Sequence, residues 1–82
     1  MYFVYILLCA DGSFYTGSSS NPQQRFVDHK NGKGGKYTRF HKPVKILYVE
    51  ESLSKPEALK REIQIKGWSK TKKIHLLNVH LP

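Results

Sequence analysis

The chain has 82 residues, of which 39% are hydrophobic and 24% are charged. This length excludes a second domain, because a chain so short buries only a little more than about 60% of its unfolded surface around one core. Fourteen Lys and Arg against six Asp and Glu give a net charge of +8, which favours nucleic acid as partner first and an anionic membrane surface second. We therefore expect one domain over residues 1–82.

Membrane and secretory features are missing from the sequence. The longest apolar run, residues 2–10, is about half of the roughly 20 residues that a spanning helix needs. The N-terminus lacks the basic region and cleavage site of a secretory signal. Cys9 is the single cysteine, which excludes an internal disulfide and a cysteine-rich zinc site. We expect a cytoplasmic protein without membrane contact.

The first two predicted elements form a hairpin. Residues 2–8 are aromatic and aliphatic throughout, which predicts a central strand covered on both faces. Turn-forming residues follow at 10–13, and residues 14–16 resume a strand-like composition. These two segments predict an antiparallel pair.

A helix is predicted next, followed by a loop. Asn21 is suited to an N-cap and is followed by a proline, so the helix should run over residues 22–31. Gly32 is placed to end it. Residues 32–43 are rich in Gly, Lys and Arg, which is typical of a mobile, basic surface loop.

Residues 44–50 predict the third strand. Their alternation places Val44, Ile46 and Tyr48 on one face.

Two more helices complete the predicted chain. Ser54 with Glu57 forms a capping-box pattern for a helix that should end near Lys66, and Ser69 can cap a short third helix. The order strand, strand, helix, strand, helix, helix predicts an α+β domain with a three-stranded antiparallel sheet flanked by three helices.

Glu62 is the most informative charged residue. Ala58, Leu59, Ile63 and Ile65 surround it at helical spacings, which places a carboxylate on or beside an apolar stripe. Its desolvation must be offset. Spacing alone leaves open a paired carboxylate at the edge of the core or a metal ligand.

Arg25 and His29 are four residues apart on the first predicted helix, so they share a face. A guanidinium can bind a phosphate oxygen, and an imidazole can accept a proton at neutral pH. A solvated helix face is the alternative interpretation. Tyr5 and Tyr15 lie on the two hairpin strands, where tyrosines commonly only fill the core.

Basic residues are concentrated in the predicted loop and in the later helices. They are numerous enough to follow a phosphate backbone. They include Lys33, Lys36, Arg39, Lys66, Lys72 and Lys73.

Together these residues form a pattern that resembles the GIY-YIG nuclease family. Val4-Tyr5-Ile6 and Tyr15-Thr16-Gly17 resemble its two short motifs, Arg25 with His29 resembles its helix, and residues 58–62 resemble its Ala-Leu-x-x-Glu segment. The resemblance spans residues 2 to about 78 and is similar also to the nuclease domain of the Slx-type structure-selective endonuclease. The chain departs from the motifs at Phe3, which replaces a glycine, and at Thr16, which replaces an isoleucine.

The resemblance implies a GIY-YIG fold and a metal-dependent endonuclease acting on DNA in repair or recombination. Glu62 would hold a single Mg2+ or Mn2+ ion, and Tyr5 would orient or deprotonate the attacking water. Arg25 and His29 would be the neighbours that tune Tyr5, with Arg25 also neutralising phosphate charge.

Two further roles follow from the same resemblance. Tyr15 would position the phosphate or water, while Thr38 and Arg39 would line the entrance to the site. Family members with known substrates usually carry an added domain, so we expect a protein partner to supply substrate specificity.

Two other functions compete with this one. A catalytically silent nucleic-acid-binding module would use the basic surface and stack bases on rings such as Tyr37 and Phe40. A protein-interaction domain would borrow the fold and work through its last helix.

Overall fold

The computed structural model describes residues 1–81. A three-stranded antiparallel sheet in the order β2-β1-β3 carries helices on both faces, which confirms the predicted α+β class. The elements are β1 (Tyr2–Cys9), β2 (Phe14–Ser19), α1 (Pro22–Lys30), α2 (Lys36–Phe40), β3 (Pro43–Ser52), α3 (Lys55–Lys66) and α4 (Lys70–Leu76).

β1 is the central strand and is buried on both faces, as its continuous apolar composition predicts. Val4 to Leu7 are all buried without alternation. Gly12 occupies the left-handed region, with φ of 84°, in the turn that leads into β2. The cross-strand register then pairs Tyr5 with Gly17 and Leu7 with Tyr15.

The two faces of the sheet have different contents. Val4 and Ile6 pack with Ala58 and Ile65 of α3 in the hydrophobic core. Tyr5 alternates with them and points to the other face, which α1 and α2 cover. The apolar core and the Tyr5 side chain therefore lie on opposite sides of one strand.

Three helix starts follow the predicted caps. The side chains of Asn21, Ser54 and Ser69 each accept a hydrogen bond from the backbone amide three residues on. These bonds satisfy an amide that the helix itself leaves without a partner.

The sequence predicted three helices, and residues 1–81 contain four. The additional helix, α2, lies inside the segment 32–43 that was predicted as a loop. Its N-cap is Gly35, which offers no side-chain cap. Thr38, a residue of this helix, is buried against the rest of the protein, so tertiary packing can override the weak local helix signal.

The predicted third strand was too short, and its predicted face was wrong. β3 starts at Pro43, and a register irregularity pairs Ile6 with Tyr48 but Leu7 with Ile46. An extra residue in one strand turns the following side chains to the opposite face. Ile46 and Tyr48 consequently point to different sides of the sheet.

None of the helices in residues 1–81 combines the length and the apolar character that crossing a membrane requires.

Candidate active site

Tyr5 is placed by its cross-strand partner, Gly17. A Cβ atom at Gly17 would lie 2.6 Å from the Tyr5 hydroxyl and 3.0 Å from Cε2 of Tyr15. Such distances are shorter than real Cβ contacts, so a side chain here would displace the phenol. The glycine of the second motif is therefore required by the packing of both tyrosines.

His29 lies at the centre of a buried chain of hydrogen bonds. Its Nε2 is 3.0 Å from the Tyr5 hydroxyl, and its Nδ1 is 2.7 Å from Oγ1 of Thr38. Tyr5 and His29 are 1% exposed and Thr38 is 3% exposed. We call Tyr5, His29 and Thr38 the buried relay.

Gly34 closes the buried relay from the loop side. A Cβ atom built on Gly34 would overlap the His29 ring at Nδ1, Cγ and Cε1. The backbone of the loop therefore packs directly against the imidazole, and only glycine permits this approach.

Burial shifts the pKa values of two relay members. It raises the pKa of Tyr5 to about 12, with the Tyr15 ring adding to the rise and Arg25 opposing it. It also lowers the pKa of His29, and the positive charge of Arg25 lowers it further. At neutral pH the phenol keeps its proton and the imidazole is uncharged, so one can donate to the other.

Tyr15 and Arg25 border the buried relay on its solvent side. The Tyr15 ring lies 4.9 Å from the His29 ring and 6.5 Å from the Tyr5 ring, between centroids. Arg25 is partly exposed and makes a long contact of 3.4 Å with Asp28, on the same helix. Arg25 and His29 share a helix face as predicted, but one is open to solvent and the other is buried.

Glu62 lies on the α3 side of the edge strand β2, opposite the face that carries Tyr5 and Tyr15. The hydroxyl of Ser18 donates to Oε1 of Glu62 at 2.5 Å, and Nζ of Lys66 lies 2.7 Å from Oε2. The Lys66 ammonium is also 5.9 Å from the centre of the Tyr15 ring. The Glu62 charge contributes to the raised pKa of Tyr5. We call Glu62, Ser18 and Lys66 the rim cluster.

The apolar stripe predicted around Glu62 is narrower than expected. Ala58 and Ile65 are buried, whereas Leu59 and Ile63 are exposed. Glu62 lies between these two faces with 15% of its side chain exposed. Its desolvation is offset by the Ser18 hydroxyl and the Lys66 ammonium, an arrangement that matches the paired-carboxylate interpretation.

The donor atoms at Glu62 suit a single hard cation. Within residues 1–81, no three His, Cys, Asp or Glu side chains lie close enough together to hold a metal ion. A carboxylate beside the Ser18 hydroxyl still offers oxygen donors, and Mg2+ usually keeps several waters and combines one or two carboxylates with substrate phosphate. The residues therefore fit one divalent ion that substrate helps to bind.

The sequence-predicted nucleic-acid contacts divide into two groups. Lys33, Lys36, Arg39, Lys66 and Lys72 are exposed. Thr38 and Lys73 are buried, and their contacts with nucleic acid stay predictions. Thr38 is hydrogen-bonded to His29, and Lys73 Nζ donates to Oγ1 of Thr16 at 3.0 Å.

Three contributors escaped the sequence interpretation. Ser18 follows Thr16 by two residues and therefore lies on the same face of β2. This strand alternation could have indicated that Ser18 faces α3. Gly34 and the pairing of Thr38 with His29 depend on the fold of α2, which no local pattern predicted. Tyr5, Tyr15, Arg25, His29 and Glu62, the five residues that the sequence singled out, lie around one region of the molecule.

Comparison with known proteins gives consistent matches. A family model described as the GIY-YIG catalytic domain matches residues 1–75. A UPF0213 protein of Staphylococcus saprophyticus is 44% identical over 77 residues, covering 94% of each chain. A UPF0213 protein of Staphylococcus epidermidis is 45% identical over 76 residues, covering 93% of each.

Solved structures agree with these matches. The solution NMR structure of a UPF0213 protein from Bacillus halodurans has 40% sequence identity and a TM-score of 0.59, covering 95% of this chain and 84% of that one. A solution NMR structure of a protein from E. faecalis has 38% identity and a TM-score of 0.65, covering 94% of this chain and 82% of that one.

Proposed function

Because the chain belongs to the GIY-YIG family, we propose that it is an endonuclease that hydrolyses DNA phosphodiester bonds with one divalent metal ion. The observation that carries the proposal is the hydrogen bond between the Tyr5 hydroxyl and Nε2 of a buried, uncharged His29. A phenol with a pKa of about 12 cannot ionise alone at neutral pH, but it can pass a proton to a base that touches it.

The proton path follows from this contact. The attacking water gives its proton to the Tyr5 oxygen while the Tyr5 proton moves to Nε2 of His29. The resulting hydroxide attacks phosphorus, the bond from phosphorus to the leaving sugar oxygen breaks, and that oxygen takes a proton from solvent. His29 then returns its proton to water, which restores the neutral ring.

Arg25 and Tyr15 act on the phosphate rather than on the proton. Arg25 is the guanidinium nearest the buried relay and can neutralise charge that builds on the phosphate oxygens. One such donor contributes roughly 3 to 4 kcal/mol to transition-state stabilisation in a well-studied enzyme. The Tyr15 ring lies beside the His29 ring, and its hydroxyl would orient a phosphate or water.

Glu62 would hold the metal ion, and Mg2+ or Mn2+ suits its oxygen donors. When bound, the ion supplies positive charge that stabilises the phosphate and its leaving oxygen. Ser18 keeps the carboxylate oriented, and Lys66 must release one carboxylate oxygen before the ion can take it.

The exposed cations at positions 33, 36, 39, 66 and 72 would follow the DNA backbone. We assign the activity to DNA repair or recombination in the cytoplasm, with a protein partner that selects the substrate.

Glu62→Ala provides the test. We expect this variant to lose DNA cleavage entirely while it keeps its fold and most of its DNA affinity, because the many exposed cations are unchanged. Cleavage is measured on single-stranded, duplex, flapped and branched DNA with Mg2+, with Mn2+ and with chelator. Glu57→Ala is the matched control, since Glu57 lies on the same helix and is exposed.

Two results would contradict the proposal. Unchanged cleavage in Glu62→Ala would remove the metal assignment. Salt-sensitive DNA binding without metal-dependent cleavage of any substrate would favour a nucleic-acid-binding module instead.

A further inference from the structure

We infer that Thr38 is a positioning residue, whose hydroxyl oxygen accepts the Nδ1 hydrogen of His29 and so keeps the Nε2 lone pair facing Tyr5. The catalytic consequence rests on the proposed function. The state of the ring is a property of the protein alone and can be measured without DNA.

The geometry gives the imidazole one partner at each nitrogen. Thr38 lies 2.7 Å from Nδ1, and Tyr5 lies 3.0 Å from Nε2. All three side chains are buried, and Gly34 packs against the ring from outside. A buried nitrogen that loses its partner would stay unsatisfied, so both contacts are needed.

Two arrangements satisfy these distances, because each hydroxyl can donate or accept. Either Tyr5 donates to Nε2 and the ring donates to Thr38, or Thr38 donates to Nδ1 and the ring donates to Tyr5. A phenol is much more acidic than an aliphatic alcohol and is therefore the stronger donor of the two. The first arrangement is favoured, and it is the one in which His29 can receive the Tyr5 proton.

A hydroxyl partner at Nδ1 affects the imidazole differently from a carboxylate partner. In Ser-His-Asp sites, a carboxylate at Nδ1 fixes the ring and also stabilises the imidazolium. Thr38 fixes the ring without adding negative charge, so it does not favour protonation. The lowered pKa of His29, caused by burial and by Arg25, is consistent with a neutral partner at Nδ1.

The fold supplies Thr38 through α2. Thr38 is nine residues beyond His29, and the intervening chain turns back through Gly32 and Gly35, both at positive φ. The turn places the single buried residue of α2 over the ring. The short helix α2, which no sequence pattern predicted, therefore places the Thr38 hydroxyl next to Nδ1 of His29.

The test measures the tautomer of His29 by 15N NMR on the whole protein without DNA or metal. We expect the wild type and Thr38→Ser to carry the hydrogen on Nδ1. In Thr38→Val, which keeps the side-chain shape, we expect the hydrogen to move at least partly to Nε2. Cleavage should fall roughly 100-fold in Thr38→Val, the low end of the range for loss of general-base assistance, and recover with serine.

The outcomes separate this inference from the proposed function. A wild-type ring with its hydrogen on Nε2 overturns the inference, whether or not any variant folds. So does a valine variant with an unchanged tautomer. A wild type that has the Nδ1 hydrogen but cuts no DNA supports the assignment of Thr38 and counts against the endonuclease.

Discussion

The buried relay and the rim cluster lie on different sides of the edge strand β2 and differ in their access to water. Tyr5, His29 and Thr38 are almost completely enclosed. In the rim cluster, Glu62 keeps 15% of its side chain exposed and Lys66 keeps 49%. The relay is arranged before any substrate arrives, whereas the rim must exchange a partner when a metal ion binds.

This difference has an energetic consequence. A relay member that loses its partner remains buried and unsatisfied, which costs about 1–3 kcal/mol. The ion pair of Glu62 with Lys66, whose ammonium side is half exposed, contributes about 1 kcal/mol or less. Changes in the relay should therefore affect both stability and cleavage, and changes in the rim should leave the free energy of unfolding nearly unchanged.

The largest combined effect on stability and cleavage is expected from Gly34→Ala, which adds a Cβ atom directly against the His29 ring. The loop or the ring must move, so the free energy of unfolding should fall by about 1–3 kcal/mol, as overpacking usually causes. Cleavage should fall by roughly 100-fold or more, because the base loses its alignment. Urea unfolding and a cleavage assay measure the two quantities.

Gly32→Ala is the control for Gly34→Ala. Gly32 has a φ of 77° and no heavy atom within 4 Å of an added Cβ, so alanine there introduces backbone strain without touching His29. We expect it to lose about 1 kcal/mol of stability and to keep its cleavage rate. Equal loss of cleavage in both variants would show that the loop, and not its contact with the ring, matters.

The sequence predicted the features that depend on local composition and missed those that depend on contacts between distant segments. The strand β1, the caps Asn21, Ser54 and Ser69, and the α+β class follow from local composition, and the structure confirms them. Helix α2 and the bulge in β3 depend on contacts between distant segments, which local patterns do not encode. The resemblance to a family gathered the five candidate residues, but burial of Thr38 and Lys73 required the fold.

The relay should also show itself in the dependence on pH. Because the pKa of His29 is lowered from 6.5, the unfolded chain takes up a proton at a higher pH than the folded protein does. Stability gained from the neutral ring is thus present above pH 6.5 and is lost as the pH falls toward the folded pKa. Cleavage should decline only below pH 6.5, by about tenfold per unit once His29 protonates.

Several charged groups can contribute to such a profile, so a variant is needed. Arg25 and Asp28 on α1, Tyr5 on β1 and Tyr15 on β2 all face His29. His29→Gln removes the titrating ring, and its unfolding free energy should change less between pH 7.5 and pH 5.5 than that of the wild type. The cleavage rate of the wild type should stay constant on the alkaline side up to about pH 10, since the pKa of Tyr5 is about 12. If the unfolding free energy of His29→Gln falls between pH 7.5 and pH 5.5 as much as that of the wild type, another group causes the fall.

The smallest effect is expected in the rim, from Lys66→Gln. Lys66 occupies one oxygen of Glu62, so its removal should free that oxygen and raise the affinity for Mn2+ by roughly 2- to 5-fold, the range that corresponds to an exposed ion pair. Metal binding is measured calorimetrically without DNA. Lys60→Gln, on the same helix and exposed, makes the same change in net charge. If both variants bind Mn2+ equally well, general electrostatics explains the gain and Lys66 does not restrain the carboxylate.

DNA affinity should move in the opposite direction for Lys66→Gln, because one phosphate-binding cation is lost and the salt dependence becomes shallower by about one charge. A residue that competes with the metal ion for Glu62 and also binds DNA phosphate should raise the one affinity and lower the other when it is removed. Both affinities must therefore be measured to recognise this double role.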